Sequence, residues 1–246
     1  MIRVIVARGS RLTGQLLQSM LSGVSGDATV SYGVRLSPQK NVLNAMAGGG
    51  NKYEELERLA KAGILVPQYW RSGSTIGVKL PLPVLARRFN HRGGTDIRLC
   101  GTLRAVAFWS QRRDFFTRFI DSDREYRVWV YRNSHLGTYE KVLRHAPKRP
   151  GMVGRNHGNG YAFELVHAEN VPREAVAVAC KAIGALGLDF GAVDIIHGRD
   201  GEYYVLESNS APGVEGEGRQ CIQLLAKHIT RWVEKGCPGR KGEKSE

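Results

Sequence analysis

Two short runs rich in β-branched, aromatic and apolar residues lie close together in the last quarter of the chain, Ala192 to His197 and Glu202 to Glu207. Between them stands Gly198-Arg199-Asp200-Gly201, a composition that predicts a tight turn and hence a β-hairpin. Met1 to Ala7 alternates as a strand, and Leu12, Leu16, Leu17, Met20 and Leu21 then recur at helical spacing. Strand, Gly9-Ser10 loop and helix form the opening of a βα unit. Val30 to Val34 predicts a second strand. Asn51 to Ala62 predicts a helix: Asn51 caps it, Glu54 answers three residues later, Leu56, Leu59 and Ala60 form its stripe, and Gly63 ends it. Pro83 to Arg88 reads as a strand, and Ile97 to Phe108 as a further strand-like stretch with Cys100 buried. In Arg124 to Val130, alternation sets Tyr126, Val128 and Val130 on one face and Glu125, Arg127 and Trp129 on the other. Thr138 to His145 is a second strand of the same lobe. Pro172 to Leu186 is an amphipathic helix with Val176, Ala179, Cys180 and Ile183 inward. Cys221 to Trp232 is a last helix, with Leu224, Leu225, Ile229 and Trp232 inward. The order of elements predicts an α/β chain.

Composition narrows the class. With 246 residues the chain can bury a large core, as one domain or as two or three lobes. No apolar run approaches the ~20 residues of a membrane span, and Ile2 to Ala7 is too short for a signal peptide. Cytoplasmic residence is the expectation. The four cysteines, Cys100, Cys180, Cys221 and Cys237, lack C-x-x-C spacing, which fits a reducing compartment and no structural zinc. A net charge of +13, from 36 basic and 23 acidic residues, predicts an anionic partner: nucleotide phosphates, an acidic substrate or nucleic acid. Met46 to Gly50 is a flexible turn and does not match a phosphate-binding G-x-x-x-x-G-K-[ST] loop.

The hairpin carries the sharpest chemistry. A turn of two or four residues places Asp194 and Glu207 on one face of the hairpin, directly opposite or on a diagonal. Asn209 continues that parity if the chain stays extended. A three-residue turn would reverse it. Two carboxylates and an amide oxygen on one face, without cysteine or paired histidine, suit a hard cation that keeps waters and phosphate oxygens. That cation is Mg2+ or Mn2+.

At this point the residues resemble a known family. VDII, a turn, then VLESNSAPGVEG is similar to the C-terminal metal-binding hairpin of the ATP-grasp ligases. The group most like it holds the ribosomal-protein glutamate ligases and the D-alanine–D-alanine ligases. The string NKYEELERLAKAGILVP also resembles that family's helix ending in Ala-Gly-Ile-x-Val-Pro before the ATP-binding lobes. The likeness runs from Asn51 to Gly218. It implies an α/β ATP-grasp fold: two α+β lobes gripping ATP, preceded by a small N-terminal βα lobe. The expected divisions are 1–70 for that first lobe, 71–117 for a lid lobe, 118–235 for the C-terminal lobe and 236–246 for a disordered basic tail.

The resemblance also implies a site. The family has a strand ending in a phosphate-binding lysine and then a glycine-rich loop over the phosphates. Here the strand ends in Arg87-Arg88, and the loop holds His91, Arg92, Gly93 and Gly94. Glycines let backbone N–H groups approach phosphate oxygens, and arginine offers a bidentate fork. Alternation turns one of the two arginines inward, assigned here to Arg88. Phe119 and Ile120 match the segment whose backbone reads the adenine edge. Arg127 matches an Asp-x-Arg strand at the acyl-phosphate, and Arg155 with Asn156 a glycine loop lining it. Lys141 and Arg144 are further basic candidates; the resemblance makes Lys52 structural or near the nucleotide, and its place on the helix reads as an exposed lysine. The expected function is ATP-dependent carboxylate–amine ligation through an acyl-phosphate, with an amino acid, peptide or protein as substrate. Small stand-alone members of the family include many encoded by bacteriophages. The alternatives are a basic nucleic-acid-binding protein on a degenerate ATP-grasp scaffold, favoured by the charge, and an ATP-grasp kinase.

Overall fold

The computed structural model of the chain describes residues 1–74, 79–90, 96–146, 153–213 and 219–239. Three sheets follow one another along the sequence. The first is parallel, β1 (Ile2–Val6), β2 (Ala28–Tyr32) and β3 (Val42–Leu43), with α1 (Arg11–Leu21) as its crossover. Helix α2 (Lys52–Lys61) comes next. Its Asn51 cap accepts from the backbone of Tyr53 and Glu54 while Glu54 reaches back, the capping box that the sequence predicts.

The second sheet is antiparallel, with β4 (Tyr69–Arg71), β5 (Val84–Arg87), β6 (Arg98–Cys100) and β7 (Phe115–Arg118) in the order β4-β7-β5-β6. The strand-like stretch expected to run from Ile97 to Phe108 divides here. Only Arg98–Cys100 pairs, and α3 (Leu103–Ser110) takes the rest. Thr102 accepts the Ala105 N–H at 3.2 Å and starts the helix. Val106 is buried with Val84, Ala86 and Phe116, whereas Leu103 and Phe108 face solvent, so a helical stripe lay hidden in an apolar run.

The third sheet holds β8 (Ser122–Tyr131), β9 (Ser134–Leu143), β10 (Tyr161–Leu165), β11 (Phe190–Gly198) and β12 (Tyr203–Asn209) in the order β10-β9-β8-β11-β12, all antiparallel. Helix α4 (Arg173–Ala185) lies on one face. Val128, Val130, Val193, Ile195 and Val205 meet Ala175, Ala179 and Ile183 there, and α2 adds Leu56 and Leu59. On the other face, Trp129, Tyr131, Phe190 and Ala192 pack against α5 (Arg219–Glu234) and the first sheet. Leu12 and Leu224, expected inward, are exposed. The chain stays packed past α5: Cys237 is buried, and the Pro238 carbonyl accepts the Trp232 indole N–H at 3.0 Å. From residue 240 the expected tail lies outside the described residues.

That second face changes character along its length. Trp129 and Ala192 are opposite each other in the core, and the next pair on the same face is Arg127 and Asp194. Beyond it stand Glu125 and Ile196. The strands therefore carry one face from apolar core into a charged cleft within a few residues.

Candidate active site

The charged end of the third sheet and the second sheet enclose a cleft of about 660 Å³. Asp194 on β11 lies directly opposite Glu207 on β12. The route to that register differs from the expected one. Gly198 pairs with Glu202 through a 2.8 Å N–H to carbonyl bond, so the loop is Arg199-Asp200-Gly201, three residues. Gly201 takes φ +86°, a conformation that glycine adopts readily. Such a loop reverses the parity, and pairing runs Ile195 to Val205. A bulge at Leu206 then restores it, so that Asp194 meets Glu207. Val205 accordingly packs under α4 while Glu207 enters the cleft.

Both carboxylates hold cations. Arg127 grips Asp194 with a two-pronged fork at 2.7 and 3.0 Å, and the Lys141 ammonium joins at 2.8 Å. Lys141 also pairs with Glu125. Burial raises the Asp194 carboxyl pKa, but Arg127 and Lys141 outweigh it and hold the group well below the carboxylate range. Burial works against charge on Arg127 and Lys141 too, and Asp194 leads the groups that push both above their ordinary values. Glu125 is raised, because burial outweighs Lys141. At Glu207 burial is outweighed by Lys52, which pairs with it from α2, and the carboxyl is lowered. One turn along α2, Glu55 accepts the Ser208 N–H; burial, then Glu207, push it up to about 7.

The other expected residues divide. Phe119, Ile120, Arg127, Lys141, Arg155 and Asn156 line the cleft. The Phe119 N–H donates to the Pro83 carbonyl at 3.1 Å. Arg155 donates to the Ser122 carbonyl at 2.8 Å and hydroxyl at 3.1 Å. The Asn156 side chain accepts the Asn159 N–H at 3.0 Å and shapes its own loop. That loop closes at Gly160, φ +82°, where a Cβ would stand 2.0 Å from the His145 carbonyl oxygen. Arg88 is not in the cleft. It lies one residue beyond β5 and pairs with Asp96 at 2.9 Å near the surface. Arg87, the last residue of β5, lines the cleft instead, buried and 5.4 Å above the Phe115 ring. Asn209 ends β12 opposite Ala192, so the chain stays extended and Asn209 keeps the parity of Glu207; its side-chain oxygen accepts the Ala211 N–H at 3.0 Å. His91, Gly93 and Gly94 lie outside the described residues. Lys52 is paired rather than exposed. Alternation sets Glu125 on the Arg127 face without giving it a role and assigns the inward arginine to Arg88 rather than Arg87, and Glu55 goes unmarked in the sequence.

Two opposed carboxylates with opposed Cβ atoms about 4.5–5.5 Å apart fit a hard cation that takes its remaining ligands from water and phosphate. Asp194 and Glu207 would hold it. Among the described residues no group of three His, Cys, Asp or Glu side chains is placed to bind a metal by itself.

The architecture is that of the ATP-grasp fold. The chain superimposes on the ATP-grasp ligase PsnB, complexed with a phosphomimetic variant of a minimal precursor, Mg and ADP, with a TM-score of 0.67. Identity is 14%, and 94% of this chain and 98% of that one are covered. The D-alanine–D-alanine ligase of Bacillus anthracis gives a TM-score of 0.64 at 12% identity, covering 96% and 98%. In sequence, the chain is 22% identical over 209 residues to a probable alpha-L-glutamate ligase of Haemophilus influenzae. That match covers 79% of this chain and 66% of the relative, so the chain spans slightly under two thirds of the relative's length. No protein-family model matches. The fold class and the ATP-grasp resemblance read from the sequence are borne out.

Proposed function

We infer that the chain is an ATP-dependent carboxylate–amine ligase. The observation that carries this reading is the Asp194–Glu207 pair, set into a cleft between two sheets and ringed by Arg87, Arg127, Lys141 and Arg155. A substrate carboxylate takes the γ-phosphoryl of ATP, giving an acyl-phosphate and ADP. An amine then attacks the acyl carbon and phosphate leaves. Mg2+ held by Asp194 and Glu207 would neutralise charge on the β- and γ-phosphates. Arg87, Arg127 and Arg155 come from a strand end, a sheet and a loop, and their convergence supports stabilising the transferring phosphoryl group. In this reading the lobes are 1–70, 71–117 and 118–235, and the cleft lies between the last two.

The relatives point the same way: PsnB is an ATP-grasp ligase whose structure was solved in complex with a precursor peptide, and the H. influenzae protein is described as a probable alpha-L-glutamate ligase. We take an amino acid or peptide as substrate on that basis. No helix among the described residues is long and apolar enough to cross a membrane. The test is a turnover screen with Mg-ATP over amino acids and short peptides, with Glu207→Gln as control. Release of ADP only when acid and amine are both present supports ligation, and release with the acid alone indicates a kinase. Equal turnover by Glu207→Gln refutes the site.

A further inference from the structure

Helix α2 belongs to neither sheet that walls the cleft, yet it touches β12 at two points. Lys52 pairs with Glu207, and Glu55 accepts the Ser208 N–H. Three residues apart, they share one helix face. Strand β12 is the edge of its sheet, so its outward backbone groups need partners from elsewhere. Glu55 supplies one. The Leu65 carbonyl supplies another, to the Val205 N–H at 2.9 Å. Leu56 and Leu59 anchor α2 in the core under α4, and the Lys52 N–H donates to the Phe89 carbonyl at 3.2 Å. The helix is therefore fastened to β12 by contacts independent of the Lys52 side chain. That side chain is a single ammonium on a flexible four-carbon stem.

A divalent ion shared by Asp194 and Glu207 needs a lone pair on the Glu207 carboxylate, and Lys52 occupies one of its oxygens. Two cations against one carboxylate repel. Asp194 is itself held at both oxygens, by Arg127 and Lys141 from within the same sheet, and keeps for a metal only the second lone pair of Oδ1. The Lys52 contact comes from a separate helix and can be released without disturbing the sheet. We propose that Lys52 is a positioning residue that holds Glu207 until metal loads and is displaced as it does, so that ammonium and divalent ion compete for the site. Glu55 is the fixed pin that keeps Ser208, and with it Glu207, in register during the exchange. The inference rests on Asp194 and Glu207 being the metal pair.

The test is a Mn2+ titration, free Mn2+ being read by electron paramagnetic resonance, without nucleotide and with ADP. Lys52→Met and Lys52→Gln are expected to bind Mn2+ roughly fivefold more tightly than wild type without nucleotide, as loss of a half-buried competing ion pair requires. Lys52→Arg, which keeps the competitor, stays near wild type. Neutral variants that bind Mn2+ no better than wild type overturn the proposal. A wild-type chain that binds no Mn2+ even with ADP overturns the metal assignment beneath it as well. If the neutral variants do not fold, the exchange is read in wild type with 13Cε-labelled lysine. The Lys52 resonance, assigned with Lys52→Arg, shifts on saturation with Mg2+; an unmoved resonance overturns the proposal.

Discussion

Lys141→Met cuts the centre of the buried charge cluster. The lysine side chain is 8% exposed, and its partners Glu125 and Asp194 are 7% and 6% exposed. With Arg127, these groups form two positive and two negative charges out of water. Removing Lys141 leaves two carboxylates facing one guanidinium, and that guanidinium is already committed to Asp194. Stranding a buried charge in this way costs about 3–5 kcal/mol. The loss depends on pH, with a sign the structure fixes. Burial already raises the Glu125 pKa, and losing Lys141 raises it further. An acid whose folded pKa exceeds its unfolded one binds more protons in the native state, so stability falls as pH rises from the unfolded value through the folded one. The variant should therefore lose most at pH 7 and clearly less at pH 5. Lys141→Met with Glu125→Gln should recover much of the loss at pH 7, because the stranded charge is gone. Urea midpoints at both pH values, for wild type, each single variant and the pair, measure this. A loss under about 1 kcal/mol at pH 7, or one that does not shrink at pH 5, would refute the reasoning.

Asn44→Ala should cost about 2–4 kcal/mol in urea unfolding. Asn44 is fully buried; its side-chain oxygen accepts the Asp189 N–H at 2.9 Å and its side-chain amide donates to the Ser31 carbonyl at 3.3 Å, and the substitution removes both. Arg87→Met should weaken Mg-ADP binding about tenfold or more by calorimetry while Arg88→Met leaves it near wild type, since only Arg87 lines the cleft; the reverse order would restore the assignment made from alternation. Glu55 sits at about 7 in the folded chain against 4.5 normally, so it should make stability decline as pH rises from about 5 to 8. Glu55→Gln should flatten that decline in urea midpoints taken across the range. Asp194 and Glu207 act oppositely: their lowered values give stability that is present above pH 4.5 and is lost as pH falls.

Much of the fold was legible because local signals agreed. The Asn51–Glu54 box, the helical stripes and the alternation in β8 each state an element within a dozen residues. The site was legible in part. Asp194 and Glu207 do share a face, but through a three-residue loop and a bulge at Leu206 that offset each other. No residue in VLESN announces that bulge, because its cause is pairing with β11 and burial of Val205 under α4. Arg87 and Arg88 could not be separated without knowing where β5 ends against Phe115. Asn209 extends the pattern in sequence and in the sheet, where it pairs with Ala192 two residues beyond the Asp194–Glu207 pair, while its oxygen also makes a local bond to the Ala211 N–H. The ion pair of α2 with β12, Lys52 to Glu207, spans 155 residues, beyond the reach of any local rule.

The assigned chemistry requires that the cleft hold a metal-bound nucleotide. Calorimetric titration of a non-hydrolysable ATP analogue, with and without Mg2+, into wild type and Asp194→Asn decides it. One site in wild type, tightened by Mg2+, with that gain lost in the variant, is the predicted result. No binding to wild type, or a Mg2+ gain that survives in Asp194→Asn, would contradict it.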